Sequence, residues 1–387
     1  MSEPASLGVY VHWPYCARIC PYCDFNVFKA RGRDDEAARL AEAILADLAG
    51  QAAITGPRRL VSVFFGGGTP ALMDPAWVAA IIAQARTLWS PANDLEVSLE
   101  ANPTDAEADR FAALAQAGVN RLSLGLQSLD DGALKFLGRN HDAAEGLRAA
   151  ATAGRAISRL SLDAIYARPG QSNAAWRDEL TCIVNLGAEH ISPYQLTLEA
   201  GTAFDRAVRR GVWAPLAEDL TADLYETTQG VLSKAGYEAY EVSNHARGIS
   251  ARSRHNLVYW RGWDYVGVGP GAHGRITGPL GRLASEAIHR PAAYIAAVAT
   301  RGVGFMDPET LTPEAMAEER LLSGLRILEG VPFGELAALN LRPESAIVRR
   351  LTDLGLVAHD TERLRATLAG RRVLDRLTAD LALARPA

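Results

Sequence analysis

Between residues 7 and 195 the apolar positions switch repeatedly between two periods. The runs at 7–12, 60–65, 95–100, 120–126, 160–166 and 191–196 are short and rich in β-branched and large apolar side chains, which is the composition of strands. Between them lie segments such as DDEAARLAEAILADLAG and DPAWVAAIIAQARTLW, whose apolar residues recur at spacings of three and four, as in amphipathic helices. Strand–helix alternation of this kind requires right-handed crossovers and hence a parallel sheet. The pattern predicts an α/β fold, an open, partial (β/α)6 barrel whose binding residues gather at strand C-terminal ends and in the loops after them.

From about 236 to 275 the texture changes to short β-like pieces rich in aromatics, glycine and polar residues, and from about 306 it becomes helical. Thr312 and Pro313 have the chemistry of an N-cap and first helical position, and Gly330 that of a stop. The closing segment from Phe333 reads as helix, helix and wing. The expected organisation is a barrel over 1–235, a small β-containing extension over 236–305 and a helical, winged-helix-like domain over 306–387. Winged helices often bind DNA, but Arg349, Arg350, Arg371 and Arg372 are interleaved with acids, so a packing or partner-binding cap is expected instead.

Charge supports that choice: the formal net charge is −5, so no overall field recruits nucleic acid or an acidic membrane. The first residues, MSEPASLGVY, have neither the basic nor the apolar region of a secretory leader, and no apolar run approaches a membrane span. A cytoplasmic location is expected. Cysteine usage is more informative. Of four cysteines, Cys16, Cys20 and Cys23 fall in the stretch WPYCARICPYCDF, spaced C-x3-C-x2-C. A disulfide with a spare thiol and a zinc knuckle lacking a ligand are the alternatives. Disulfides are rare in a reducing cytosol, and structural zinc takes four closed ligands. Three thiolates without a fourth suit a [4Fe–4S] cluster with one open iron. Cys182, on a helical apolar stripe with Leu180, Ile183 and Val184, is expected to be a small buried hydrophobe.

The cysteine loop follows the first predicted strand directly. The second strand ends in Gly66-Gly67-Gly68-Thr69-Pro70, where missing Cβ atoms let the backbone approach a ligand. No Lys-Ser/Thr follows, which argues against a phosphate-binding P-loop. The third strand ends in Glu100-Ala101-Asn102-Pro103, the fourth gives Gln127 and Ser128 with Arg139 beyond, and the fifth ends near Asp163 and Tyr166. One rim thus gathers acids, an amide and an arginine, able to hold a zwitterionic amino acid and a ribose.

The cysteine loop, GGGTP, E-x-N-P and the R-x-S-x-G-x-Q-S of 121–128 together resemble the radical S-adenosylmethionine (SAM) family, in its oxygen-independent coproporphyrinogen III oxidase-like branch. The resemblance runs from about Tyr10 to the C-terminus. It implies a [4Fe–4S] cluster on Cys16, Cys20 and Cys23 whose unique iron chelates SAM, and an electron donor to reduce it. By position in the family motifs, Tyr10, Gly67, Gly68, Thr69, Glu100, Gln127, Arg139 and Asp163 are the expected SAM contacts.

Within that branch the resemblance leaves two readings, a dehydrogenase that decarboxylates coproporphyrinogen III and a haem chaperone. The dehydrogenases carry a fourth cysteine two residues after the third, where this chain has Phe25. They also have a longer N-terminal arm than the 15 residues preceding Cys16 here. The hexapeptide His255-Asn256-Leu257-Val258-Tyr259-Trp260 matches the H-N-x-x-Y-W motif that the resemblance associates with haem. A neutral imidazole is a common haem ligand, and aromatic faces suit a flat tetrapyrrole. The chaperone reading therefore leads. It implies haem contact at His255, haem-accepting apo-proteins such as respiratory cytochromes as partners, and transient contact with a membrane surface. Ala167-Arg168 departs from the family's Gly-Leu before Pro-Gly-Gln, and places Arg168 where a haem propionate would find it. His273 is left without a role.

Overall fold

The computed structural model describes residues 5–279 and 281–384; the first four residues, part of the segment read for a leader, lie outside these. The predicted strands form as β1 (Ser6–Trp13), β2 (Arg59–Gly67), β3 (Ser90–Ala101), β4 (Arg121–Gln127), β5 (Arg159–Tyr166) and β6 (His190–Gln195). They lie side by side in that order, and each adjacent pair is parallel. Helices such as α1 (Asp34–Thr55), α2 (Pro75–Leu88), α3 (Ala143–Ala156) and α4 (Asn173–Asn185) make the crossovers. The amphipathic pattern has a direct physical reading. Val9, Val11, Val63, Phe65, Val97, Leu99, Leu122, Leu124 and Leu162 are fully buried in one core cluster with apolar residues of these helices. The alternate residues face the hollow of the curved sheet and are mostly polar.

The sheet does not stop at these six strands. A seventh, β7 (Asp264–Val268), pairs parallel with β1, and the hairpin β8 (His273–Gly278) and β9 (Gly281–Glu286) continues the sheet antiparallel. At the other edge the short strand His245–Ala246 pairs antiparallel with β6. The sheet remains open, since its strand order is linear among the described residues.

Two details of the sequence reading change. The hexapeptide at 255–260 is helical rather than β-like, forming α6 (Arg254–Trp260) after the amphipathic α5 (Glu218–Lys234). Ser253 caps α6 by accepting the Asn256 N–H at 3.3 Å. The helix plugs the barrel floor and packs closely on Gly8: a Cβ there would lie 3.1 Å from the Val258 side chain and from Ser62 Oγ, tighter than ordinary van der Waals contact. Cys182 is exposed. Helix α4 buries Trp176, Leu180 and Ile183, and a residue two positions after Leu180 lies about 200° around the helix, on the far face.

Beyond α7 (Pro291–Arg301), helix α8 (Pro313–Gly324) starts as expected, with Thr312 accepting the Ala315 N–H at 3.2 Å. It ends at Gly324 rather than Gly330; the chain then folds back so that Val331 packs where a Cβ of residue 324 would sit. Together with α9 (Ala346–Asp353), α10 (Leu374–Leu383) and the small pair Val331–Pro332 with Arg363–Leu364, it builds a separate core around Leu321, Val348, Leu351 and Leu377.

Candidate functional site

The strand ends deliver Cys16, Cys20, Cys23, Gly67, Gly68, Thr69, Glu100, Gln127, Arg139 and Asp163 to the walls of one chamber of about 670 Å³. The cysteine loop is tied to the end of β2 by backbone bonds, Gly68 N–H to the Trp13 carbonyl at 2.7 Å and Thr69 N–H to that of Tyr15 at 2.9 Å. Gly67 has φ +103, and a Cβ there would lie 2.5 Å from the His12 ring. Any other residue would therefore be strained and would collide with His12.

Burial pushes the Cys16 and Cys23 thiols up to about 11, and the neighbouring cysteine sulfurs add to the rise. Such thiols do not ionise by themselves at neutral pH; they suit a centre that supplies positive charge to their sulfurs. Arg139 lies against the same loop, its guanidinium 3.5 Å from Cys20 Sγ and 3.5 Å from the Tyr22 hydroxyl. It is aimed by the Gly125 carbonyl at 3.1 Å and by Asn102 Oδ1.

Across the chamber from the thiols sit two half-buried carboxyl groups. Burial, reinforced by Asp163, pushes Glu100 up to about 8. Burial also raises Asp163, to about 6, although Ser123 donates to it at 2.8 Å and Ser161 at 3.4 Å. Glu100 accepts the Gly67 N–H at 3.2 Å. Gln127 has φ +62, a left-handed conformation costly for a side chain with a Cβ. Its Oε1 is buried with no hydrogen-bond partner, as is Nε of Arg139. Buried orphan polar atoms are rare, and here they line a cavity wide enough for a ligand. Among the described residues no three His, Cys, Asp or Glu side chains stand close enough to hold a metal ion, but three cysteines on one chamber wall, two under-compensated carboxyls and unpartnered donor and acceptor atoms suit a cluster with one open iron and a zwitterionic, ribose-bearing ligand beside it.

Two expected contacts stand apart from the chamber lining. Tyr10 faces the hollow from β1, but its hydroxyl bonds His12 Nδ1 at 3.0 Å and its ring stacks near Phe64 and His255. His255 is 1% exposed and both its ring nitrogens are engaged, Nδ1 with Ser62 Oγ at 2.9 Å and Nε2 with the Tyr259 hydroxyl at 2.8 Å. Burial lowers its pKa to about 3, so it is neutral. The residue of α6 that lines the chamber is its neighbour Asn256. Arg168 does not offer itself to a propionate: it is buried, ion-paired with Glu179 and bonded to Ser128. Its strand-end position turns it inward, where Glu179 of α4 neutralises it. His273 is exposed beside Glu286.

The sequence reading gave the residues of the chamber floor no role, although Arg121 and Ser123 stood in one of its motifs. Arg121, Ser123, Ser161, His190, Ser192 and Asn244 all line that floor. His190 joins Ser161 at 2.7 Å and Tyr240 at 2.9 Å, and Ser192 joins Asn244 at 2.9 Å. For all but Asn244 the signal was present as polar residues set between apolar ones in RLSLGLQ, RLSLDAIY and HISPYQ. Among the described residues, no helix is long and apolar enough to cross a membrane.

Residues 10–182 match the family described as the Radical SAM superfamily, and 311–373 match the HemN C-terminal domain. The chain is 40% identical to "Radical S-adenosyl methionine domain-containing protein 1, mitochondrial" of Bos taurus, over 97% of this chain and 87% of that one. It is 36% identical to "Heme chaperone HemW" of Mycobacterium tuberculosis H37Rv, over 97% of this chain and 94% of that one. Identity to "Heme chaperone HemW" of Escherichia coli K12 is 39%, over 72% of each chain. The solved coproporphyrinogen III oxidase (HemN) of Escherichia coli, titled a radical SAM enzyme, shares the fold, with a TM-score of 0.80 at 19% identity over 98% of this chain and 91% of that one. The chain therefore belongs to the radical SAM superfamily, in the coproporphyrinogen III oxidase-like branch that includes proteins named haem chaperone HemW.

Proposed function

We propose that the protein is a haem chaperone that holds a [4Fe–4S] cluster on Cys16, Cys20 and Cys23, binds SAM beside it, and passes haem to apo-proteins such as respiratory cytochromes. The observation that carries this reading is the near full-length kinship to proteins named haem chaperone. Phe25, where the dehydrogenases have a further cysteine, agrees with it; it stands 59% exposed on the chamber wall. When bound, cluster and SAM supply one-electron reductive cleavage of a C–S bond.

The chain's own residues have definable tasks in this reading. Arg139 balances charge on the cysteine loop, and Glu100, Asp163 and Gln127 orient the amino-acid and ribose parts of SAM. Tyr10 positions His12 and the aromatic wall from below. His255 anchors the helix that carries the haem-associated hexapeptide. The protein would work in the cytoplasm, with an electron donor for the cluster and brief contact with the membrane surface where haem is delivered.

The test is anaerobic. Reconstituted protein loaded with haem is mixed with an apo-cytochrome, and transfer is followed by absorbance; the proposal expects holo-cytochrome to appear. In parallel the protein is incubated with coproporphyrinogen III, SAM and a reductant. Formation of protoporphyrinogen, or failure to take up or release haem, overturns the chaperone reading.

A further inference from the structure

Helix α6 separates two cavities. Its Asn256 faces the SAM chamber, whereas the turn from Tyr259 to Trp263 lines a second cavity of about 620 Å³ between α6, β7–β9 and α8. That volume lies in the ~300–1,000 Å³ range of small-molecule sites. Nothing in the SAM chemistry uses it.

Its lining has two parts. Trp260, Trp263 and Tyr265 provide aromatic surface, with Met316 and Leu322 of α8 as an apolar edge. Arg261 lies over the Trp263 ring at 5.2 Å from its centroid, while Arg326, which lines the SAM chamber rather than this cavity, lies over the Trp260 ring at 4.6 Å. The indole N–H of Trp260 is buried without an acceptor. The second part is cationic: Arg261, Arg275, Arg282 and Arg320 against only Glu319 and Glu335 in the lining, in a chain of net charge −5.

Each guanidinium has a carboxylate partner, and the partners differ in kind. Arg282 is held by Asp264, which is buried, and Arg261 by Glu329. Arg275 is held at 2.8 Å by Glu319, and Arg320 by Glu335. In these last two pairs the arginines are 19% and 14% exposed, while the glutamates are 37% and 45% exposed. The cations are fixed in the wall and the anions sit at the solvent edge. An incoming carboxylate can take over either guanidinium while the displaced glutamate regains its hydration, so exchange leaves no charge buried alone.

We propose that this outer cavity, rather than the SAM chamber, is the seat of a haem-type tetrapyrrole. Its macrocycle lies against Trp260, Trp263 and Tyr265, and its two carboxylates replace Glu319 and Glu335 on Arg275 and Arg320. The proposal rests on the haem-carrier reading and adds where the ligand sits and what gates it. Glu319 and Glu335 act as resident competitors, so the site loads with a dicarboxylate and excludes its neutral analogue. The same helix contacts both cavities, which places the haem seat one helix away from the SAM site.

The experiment is a titration of anaerobically reconstituted full-length protein with ferric haem and, separately, with haem dimethyl ester, read by absorbance. Haem should bind at least about tenfold more tightly than the ester. The E319Q/E335Q double variant should bind haem about tenfold more tightly than the unmodified protein, and R275M/R320M about tenfold more weakly with ester binding unchanged. Equal affinity of the unmodified protein for haem and ester overturns the site without any variant having to fold. So does haem affinity that is the same in R275M/R320M, or weaker in E319Q/E335Q. Any of these three results leaves the haem-carrier reading standing, whereas absence of haem uptake by the unmodified protein removes that reading itself.

Discussion

Glu96 on β3 is fully buried beneath helix α6. Its two oxygens accept the backbone N–H groups of Arg254 and His255, at 3.2 and 3.1 Å, satisfying the first turn of the helix. The same carboxylate faces Arg159 at 3.0 Å and Arg121 at 3.9 Å. Burial alone would raise its pKa, but the two arginines and the two N–H groups outweigh burial and hold it below the usual carboxylate range. The substitution Glu96→Gln keeps the shape and removes the charge. It leaves Arg121, 3% exposed, with Glu189 at 3.7 Å as its one remaining counter-ion among the described residues. Breaking one side of a buried pair costs about 3–5 kcal/mol. At ~2.1 cal/mol/K per residue, a chain of 387 residues has an unfolding entropy near 0.8 kcal/mol/K, so Tm should fall by about 4–6 °C at pH 7.5. The pH dependence follows from the sign of the shift. A depressed carboxylate stabilises fully above its unfolded pKa and loses that contribution as pH falls toward the folded value, so the gap to Glu96→Gln should narrow below about pH 4.5. Scanning calorimetry from about pH 2.5 to 8 measures both. A Tm within about 1 °C of the unmodified protein at pH 7.5, or a gap independent of pH, would falsify the assignment of Glu96 as the anchor of α6.

The chamber and its surroundings give further expectations. Substituting Cys16, Cys20 or Cys23 singly by serine should abolish the iron–sulfur absorbance after reconstitution, whereas Cys182→Ser, on the exposed face of α4, should leave iron content unchanged. Glu100 has the opposite sign from Glu96. Its pKa is raised to about 8, so in SAM-free protein its ionisation costs stability increasingly as pH rises from its unfolded value toward 8. Glu100→Gln should therefore raise Tm more at pH 8.5 than at pH 5.5 while weakening SAM binding, measured by calorimetry; a pH-independent Tm difference would contradict the burial argument. Arg168→Met removes one side of the buried pair with Glu179 and should cost about 3–5 kcal/mol in denaturant unfolding while leaving haem affinity unchanged. A selective loss of haem affinity would restore Arg168 as a propionate partner.

Much of the site was legible in the chain because it is made of short-range signals. A thiol triplet, a glycine run and an acid or amide at successive strand ends are local features. The parallel topology then carries them to one rim without further information. The alternation of β-rich runs with amphipathic helices likewise announced a parallel sheet, one face of which those helices bury. What the alternation did not reveal was the chemistry of the other face, because Ser123, Ser161 and Ser192 are small polar residues equally at home on a solvent-exposed strand. Helix α6 escaped recognition for a related reason. Its seven residues are too few to develop helical periodicity, and it is held by Glu96, a partner more than 150 residues away.

The sequence alone determined the α/β frame, the membership of the rim and the cysteine loop, because strand patterning and local motifs need only near neighbours to be read. Tertiary structure alone decided what each polar residue near the site can do. His255 and Arg168 both looked available along the chain. In the fold one is spent on Ser62 and Tyr259 and the other on Glu179. The arginine-lined cavity behind α6 draws on residues from 259 to 335, brought together by a hairpin and a helix. A buried group's hydrogen bonds and counter-ions come from whichever elements pack against it, and that information is not carried by any local stretch of chain.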